Sequence, residues 1–477
     1  MRIADGRRFL AILGLAALST AAAGADLRLI TAARNADLGA LRALLKQGLD
    51  PKVRQKDGTT ALHWAAHRDD LESADLLIRA GADVNAANDL GATPLWPAAV
   101  NGSAAMVRKL LSAGASPNAA LSLGETIVMT AARTGNADVV EQLLSKGGDP
   151  NVRAARGQTA LMWAVAQRHP DVVKALLAHG AEVHARTDVW TELLKTDPDQ
   201  ASHPDYQVRI KQGGHTALMF AARVGDLASA KLLVAAGATV NDQAAYGISA
   251  TVLAAHSNHE NLVAFLLEHG ADPNTAGAGY TALHAAILRG NEKAVAALLA
   301  HGANPNAPLL AASPTRRESN DFFFHNTFIG ATPFWLAARF SEPGVMRLLT
   351  QHGADPLVVH NVEYPAGSYG TYSRVDEGAT TALMAAVGMG GDINSGWALP
   401  TAREREALTL EAAKVAVGLG VDVNAANGNG DTALHGAAAR GFESVVKYLV
   451  EKGAKVDATN KAGRTPSDTP ARARPQR

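Results

Sequence analysis

The sequence predicts an all-α repeat solenoid, with helix-turn-helix units stacked about ten to eleven times between caps and joined by β-hairpin or turn tips. Ten times in 477 residues, a glycine opens a segment related to Gly-x-Thr-Ala/Pro-Leu. The interval between these glycines is 33 residues four times and 32 once, and the other four intervals are longer by 15 to 24 residues. A fixed period of this length indicates a repeat array, so the longer intervals mark insertions. The opening glycines are Gly58, Gly91, Gly124, Gly157, Gly214, Gly247, Gly279, Gly330, Gly378 and Gly430.

Residues 58–90 show why one period should fold as two helices. Thr60 can cap the first helix by accepting a hydrogen bond from a free amide of the first turn. The small pair Ala65-Ala66 lets a second helix approach closely, and the apolar residues within 71–77 have the spacing of an amphipathic partner helix. Gly81 is expected to end that helix because glycine adopts left-handed backbone without strain.

The block Gly58-Thr-Thr-Ala-Leu-His-Trp-Ala-Ala66, followed by Gly81-Ala-Asp-Val-Asn85, resembles the ankyrin repeat. Similar blocks recur along nearly the whole chain after its first 25 residues. The resemblance implies a fold that binds partner proteins on an extended concave face. It also implies that His63, His284 and His435, in the His position of the first block, serve packing and backbone hydrogen bonding.

The N-terminus differs from the repeats. Arg2, Arg7 and Arg8 precede the apolar run at 9–18, which is too short to span a bilayer, so residues 1–25 are expected to be a signal peptide. Cleavage is expected before Asp26 to within a few residues, through either Sec or twin-arginine export. An uncleaved membrane anchor is the alternative. We therefore expect an exported protein, in the periplasm or the extracellular medium, with no membrane span after cleavage.

Composition and motifs exclude several classes of function. The chain has 45 basic and 45 acidic residues, which favours neither nucleic acid nor an anionic membrane, and it has no cysteine. No catalytic or nucleotide-binding motif is present, so we expect a protein that is not an enzyme and that uses neither cofactor nor metal. Four of the sixteen histidines are expected to bond helix carbonyls instead, because they stand just before a terminal glycine. They are His179, His269, His301 and His352.

The repeat period divides the chain into scaffold and insertions. The predicted segments are a signal peptide at 1–25, an N-terminal capping repeat at 26–57, ankyrin repeats at 58–188, 213–307, 330–361 and 378–462, inserted loops at 189–212, 308–329 and 362–377, an insertion at 388–406 inside the last block, and a truncated C-terminal cap with a tail at 463–477.

The ankyrin resemblance implies that the two residues after each Ala-Ala pair face the concave side. Six of the eight such pairs contain an arginine, which predicts a local preference for an acidic partner surface. The alternative is that these arginines are solvated or bind a neighbouring repeat. The predicted partner-binding residues at these positions are Arg68, Arg133, Arg223, His256, Arg289, Arg339, Phe340 and Arg440.

The four insertions contain ten of the chain's 23 aromatic residues. Four phenylalanines lie within residues 322–328, and we expect them to pack under their own loop more than against a partner. Trp190, Tyr364, Tyr369 and Tyr372 are predicted to be available for binding.

Two functions fit these features. The preferred one is an exported, monomeric scaffold that binds one or more envelope proteins through the concave face and hairpin loops. The alternative is a module that binds a sugar or aromatic solute between the aromatic loops. An enzyme built on Asp321, Glu363, Asp376 and Glu377 is a distant third, because their spacing gives no sign of acid-base pairing.

Overall fold

The computed structural model describes residues 27–195, 207–313, 323–362, 378–390 and 402–469. The signal peptide predicted at 1–25 lies outside these residues. The chain folds as two compact units whose boundary falls between Asp149 and Pro150. Both units are built from short antiparallel helix pairs, which confirms the predicted all-α repeat architecture.

In the first unit, the described helices are α1 (Arg28–Arg34), α2 (Leu38–Lys46), α3 (Ala61–His67), α4 (Leu71–Arg79), α5 (Leu95–Val100), α6 (Ala104–Ser112), α7 (Ile127–Thr134) and α8 (Ala137–Ser145). In the second unit, they are α9 (Ala160–Ala166), α10 (Pro170–Ala178), α11 (Ala217–Val224), α12 (Leu227–Ala235), α13 (Ala250–His256), α14 (Glu260–Glu268), α15 (Ala282–Leu288), α16 (Glu292–Ala300), α17 (Pro333–Arg339), α18 (Pro343–Gln351), α19 (Ala382–Ala386), α20 (Ala402–Gly418), α21 (Ala433–Arg440) and α22 (Glu443–Glu451).

Local sequence determines where a helix pair begins and ends. The Thr60 amide donates to His63 Nδ1 at 3.1 Å, and the other ring nitrogen of His63 reaches the Ala92 carbonyl at 2.9 Å. The second helix begins after Asp70, whose carboxylate accepts the Ser73 amide at 3.0 Å. Gly81 follows with a φ of +91°, as its place after the helix predicts. The predicted role of His63 in packing and backbone hydrogen bonding is therefore confirmed.

An asparagine at the start of a hairpin joins one repeat to the next. Asn85 Nδ2 donates to the Gly114 carbonyl at 3.0 Å, and its Oδ1 accepts the Ser116 amide at 2.8 Å. We call this pair of hydrogen bonds the asparagine clamp. It recurs at 2.7–3.0 Å at Asn118 in the first unit, and at Asn151, Asn241, Asn274, Asn306 and Asn424 in the second.

One clamp spans an insertion. Asn306 binds Gly353, which lies 47 residues further along the chain, whereas Asn274 binds Gly302, only 28 residues away. The ends of the inserted loop 308–329 are closed by backbone bonds, because the Gly330 amide donates to the Leu309 carbonyl at 2.7 Å. The insertion therefore leaves the stacking contact of its neighbours in place.

The other insertions are rooted by β-structure or helix. Strands β1 (Val189–Lys195) and β2 (Gln207–Gly213) form an antiparallel hairpin, and β3 (His360–Val362) pairs with β4 (Gly378–Thr380). Helix α20 begins at Ala402, within the segment predicted as an insertion up to residue 406. The run Ala-Arg-Glu-Arg-Glu-Ala-Leu from residue 402 explains the earlier start, because these are strong helix formers.

Candidate functional site

In each repeat, the predicted binding residues lie at the C-terminal end of the first of its two helices. Within the first unit, these residues differ in their exposure to solvent. Arg68 is exposed at the end of α3. Arg133 is half-buried, and its guanidinium contacts the Glu125 carboxylate at 3.0 Å. Asn101, in the corresponding place after α5, donates to the His67 carbonyl of the preceding repeat at 2.7 Å. Of the predicted residues in this unit, Arg68 is therefore the more accessible to a partner.

In the second unit, helices α11, α13, α15 and α17 pack side by side in that order. Their equivalent ends carry Arg223, His256, Arg289 and Arg339, so the predicted alignment of these residues matches the order of the helices. Arg223 is exposed, and its guanidinium lies 4.7 Å from the centre of the Phe220 ring. His256 and Arg289 are half-buried.

The prediction that Arg339 faces outward is wrong, because only 6% of the residue is exposed. This helix end is covered from two sides. Phe340 packs edge-on against Phe328 of the inserted loop, with ring centres 6.0 Å apart, and Ser341 contacts Thr409 of α20 at 3.4 Å between hydroxyls. Neither contact is visible in the sequence of the repeat itself.

Two further arginines at helix ends bind neighbouring repeats. Arg440 is half-buried and donates to the Gly388 carbonyl at 3.4 Å, while Arg168 donates to the Val224 carbonyl. These contacts match the alternative in which such arginines serve the stack. The predicted arginines therefore differ in exposure. Arg68 and Arg223 are the exposed ones.

Trp190 on β1 is half-buried against the preceding repeat. The Arg156 guanidinium lies 5.0 Å from the centre of its ring, a distance within the range of cation–π contact. Arg153 and Asp188 form an ion pair at 2.8 Å beside it. Trp190 therefore helps to anchor the hairpin. The other predicted aromatic binders, Tyr364, Tyr369 and Tyr372, lie outside the described residues.

The aromatic loop 308–329 packs onto the repeats on either side of it. Phe324 is fully buried and lies 5.2 Å from Tyr280 between ring centres. Phe328 is 3% exposed and lies 6.0 Å from Trp335. Intramolecular packing is thus confirmed for these two phenylalanines. Phe323 is half-buried, and Phe322 lies outside the described residues.

Several histidines within the described ranges either pack in the core or bond helix carbonyls. Burial lowers the pKa of His284 to about 4, so it is neutral in the core beside Phe324. His269, His301 and His352 each bond the carbonyl four residues earlier at 2.8–3.0 Å through Nδ1. No group of three histidine, aspartate or glutamate side chains suited to a metal ion occurs in the part of the chain that the structure describes.

Exposed aliphatic side chains at the hairpin tips are candidates that the sequence reasoning missed. Leu90 is 44% and Leu123 82% exposed, and the Ser122 amide donates to the Leu90 carbonyl at 2.9 Å, which brings these tips together. In the second unit Ile329 is 44% exposed. All three directly precede an opening glycine, and that position could have identified them.

Comparison with known families identifies ankyrin repeats over most of the repeat array. A model described as "Ankyrin repeats (3 copies)" matches residues 29–121, 118–187 and 218–308, and one described as "Ankyrin repeats (many copies)" matches residues 409–450. The matches together cover more than half of the chain. Over the described residues, no helix combines the length and the apolar character needed to cross a membrane.

The packing of the aromatic loop can be tested with two neighbouring phenylalanines. Replacing Phe324 by alanine should lower the free energy of unfolding by about 3–5 kcal/mol, because it leaves a cavity between the loop and Tyr280. The matched change Phe323→Ala should cost about 1 kcal/mol, because that ring is already partly in solvent. Urea unfolding followed by circular dichroism measures both. Equal costs would show that the loop does not pack on the repeats as described.

Proposed function

Because this chain belongs to the ankyrin repeat family, we propose that it is an exported scaffold that holds one or more envelope proteins. Ankyrin repeats generally mediate protein–protein interaction. The partner is proposed to bind the concave face and the hairpin loops, and the chain to act as a monomer without catalysis. A periplasmic location is supported by residues 1–25, whose arginines and short apolar run have the pattern expected of a signal peptide.

The observation that carries this proposal is a pair of exposed leucines on adjacent hairpin tips of the first unit. Leu90 and Leu123 stand on adjacent tips that are joined by a backbone hydrogen bond, and Leu123 has 82% of its surface in solvent. One exposed leucine is ordinary on a protein surface, but two on adjacent, hydrogen-bonded tips offer apolar surface that a partner can cover.

Charge supports an acidic partner. Arg68 in the first unit and Arg223 in the second are exposed at equivalent helix ends, although the chain as a whole has equal numbers of basic and acidic residues. Exposed arginines are suited to bidentate contacts with carboxylates. Because Phe324 and Phe328 are used to pack the loop 308–329, the aromatic side chains there support a scaffold better than a solute pocket.

Charge reversal at these two arginines tests the partner surface. The double variant Arg68→Glu, Arg223→Glu should keep its helical circular dichroism and should capture the main partner from an envelope extract at least about fivefold less well, because attraction to carboxylates becomes repulsion. Mass spectrometry of the captured protein measures this. The matched control is Lys46→Glu, Lys231→Glu, which reverses one exposed charge in each unit on the second helix of a pair instead of at the end of a first helix. Equal capture by both double variants would exclude Arg68 and Arg223 from the binding surface.

Export has a separate test. Cell fractionation followed by N-terminal sequencing should find the mature chain in the periplasm, beginning within a few residues of Asp26. A full-length cytosolic protein that still begins at Met1 would contradict the proposal.

A further inference from the structure

The β1–β2 hairpin is held firmly at its base between the tips of two neighbouring repeats. The Arg186 guanidinium donates to the Gly214 and Gln243 carbonyls at 3.1 and 2.9 Å and pairs with Asp242 at 2.7 Å. On the other side, the Asp188 amide donates to the Arg156 carbonyl at 2.9 Å. The hairpin therefore rises from a fixed root, as a surface that recognises a partner requires.

The hairpin has two unlike faces. Leu194 and Ile210 are buried, at 7% and 6% exposure, whereas Val189 and Leu193 are 55% and 52% exposed. Side chains alternate between the faces of a strand. The cross-strand pairs Thr191–Lys211 and Leu193–Arg209 therefore belong to the exposed face.

The exposed face combines apolar and cationic side chains. Arg209 and Lys211 are both exposed on β2. Within the described residues 189–195 and 207–213, the one carboxylate is Glu192, which alternates onto the opposite face. This face is therefore locally basic on a chain with no net charge.

The outer edge of β2 already accepts backbone pairing at its base. There the Ala245 amide of the next repeat donates to the Gly213 carbonyl at 3.0 Å. Along the rest of β2, the one strand partner that the described residues provide is β1. A strand edge of this kind is a template for an additional strand.

We propose that β2 binds an extended acidic segment of a partner protein, which adds to its outer edge as a third strand and places carboxylates against Arg209 and Lys211. The body of the partner then covers Val189 and Leu193. This inference rests on the proposed scaffold function and names the site and the chemistry of one partner. A strand edge favours a protein segment over an anionic membrane, because only a polypeptide backbone can add to it as a further strand.

The probe is a short labelled peptide of alternating glutamate and valine, titrated with the full mature chain and followed by fluorescence anisotropy. The variant Arg209→Glu, Lys211→Glu should weaken binding about tenfold. Lys174→Glu, Lys231→Glu is the control, because it makes the same charge change at exposed positions on α10 and α12, and it should bind as the parent does. Equal weakening by both would indicate non-specific charge attraction and overturn the proposal.

Strand addition has its own signature. In the complex, alternate backbone amides between Val208 and Gln212 should exchange with solvent more slowly, because they become hydrogen-bonded to the added strand. Unchanged exchange, despite peptide binding, would overturn the strand geometry. Equal binding of a lysine-valine peptide, or binding of phosphatidylglycerol vesicles in preference to the acidic peptide, would overturn the choice of partner.

The two proposals fail in different ways. An envelope protein that is captured equally by the parent and by the Arg209, Lys211 variant, with no binding of the acidic peptide, would overturn this site and leave the scaffold function in place. Binding of the acidic peptide at the hairpin without capture of any envelope protein would instead contradict the proposed function.

Discussion

The asparagine clamp is the contact on which the repeat arrays depend. A helix that ends at glycine leaves carbonyl groups without helical partners, and such groups must find hydrogen bonds elsewhere. One asparagine satisfies both the glycine carbonyl and an amide two residues later, as Asn85 does for Gly114 and Ser116. Because the donor belongs to the preceding repeat, the same two bonds that complete a helix end also fix the position of the next helix pair.

The clamp explains how this chain tolerates long insertions. Asn306 reaches Gly353 across the inserted loop 308–329 with the same geometry as the uninterrupted clamps. His184 and Leu357 occupy the clamp position before the insertions at 189–212 and 362–377. There the Arg186 contacts and the β3–β4 pairing root the chain instead. The repeats thus supply a fixed frame, and the insertions add segments to it, among them the β1–β2 hairpin proposed above as a binding site.

The sequence predicts what depends on near neighbours. Thr60, His63 and Gly81 have their expected roles because capping and helix termination are decided within a few residues. Arg339 was predicted to face outward and is buried at a helix end where Phe328 packs on Phe340 and Thr409 of α20 contacts Ser341. The repeat period does not place either of these contacting residues. The segment 189–212 was predicted as an inserted loop that extends a hairpin, but the exposed face of the β1–β2 hairpin depends on a strand register that its composition does not reveal.

The most direct test of the clamp is site-resolved amide hydrogen exchange at Asp355 and Asp422, which hold equivalent positions in successive repeats. The Asp355 amide donates to Asn306 Oδ1 at 2.8 Å. In the repeat before Asp422, the clamp position is occupied by Leu357, which has no side-chain acceptor. The clamp should make Asp355 exchange clearly more slowly than Asp422, at a rate like that of Asp272, which Asn241 clamps without an intervening insertion. Exchange of Asp355 as fast as Asp422 would contradict the claim that the clamp holds the repeats in register across the insertion.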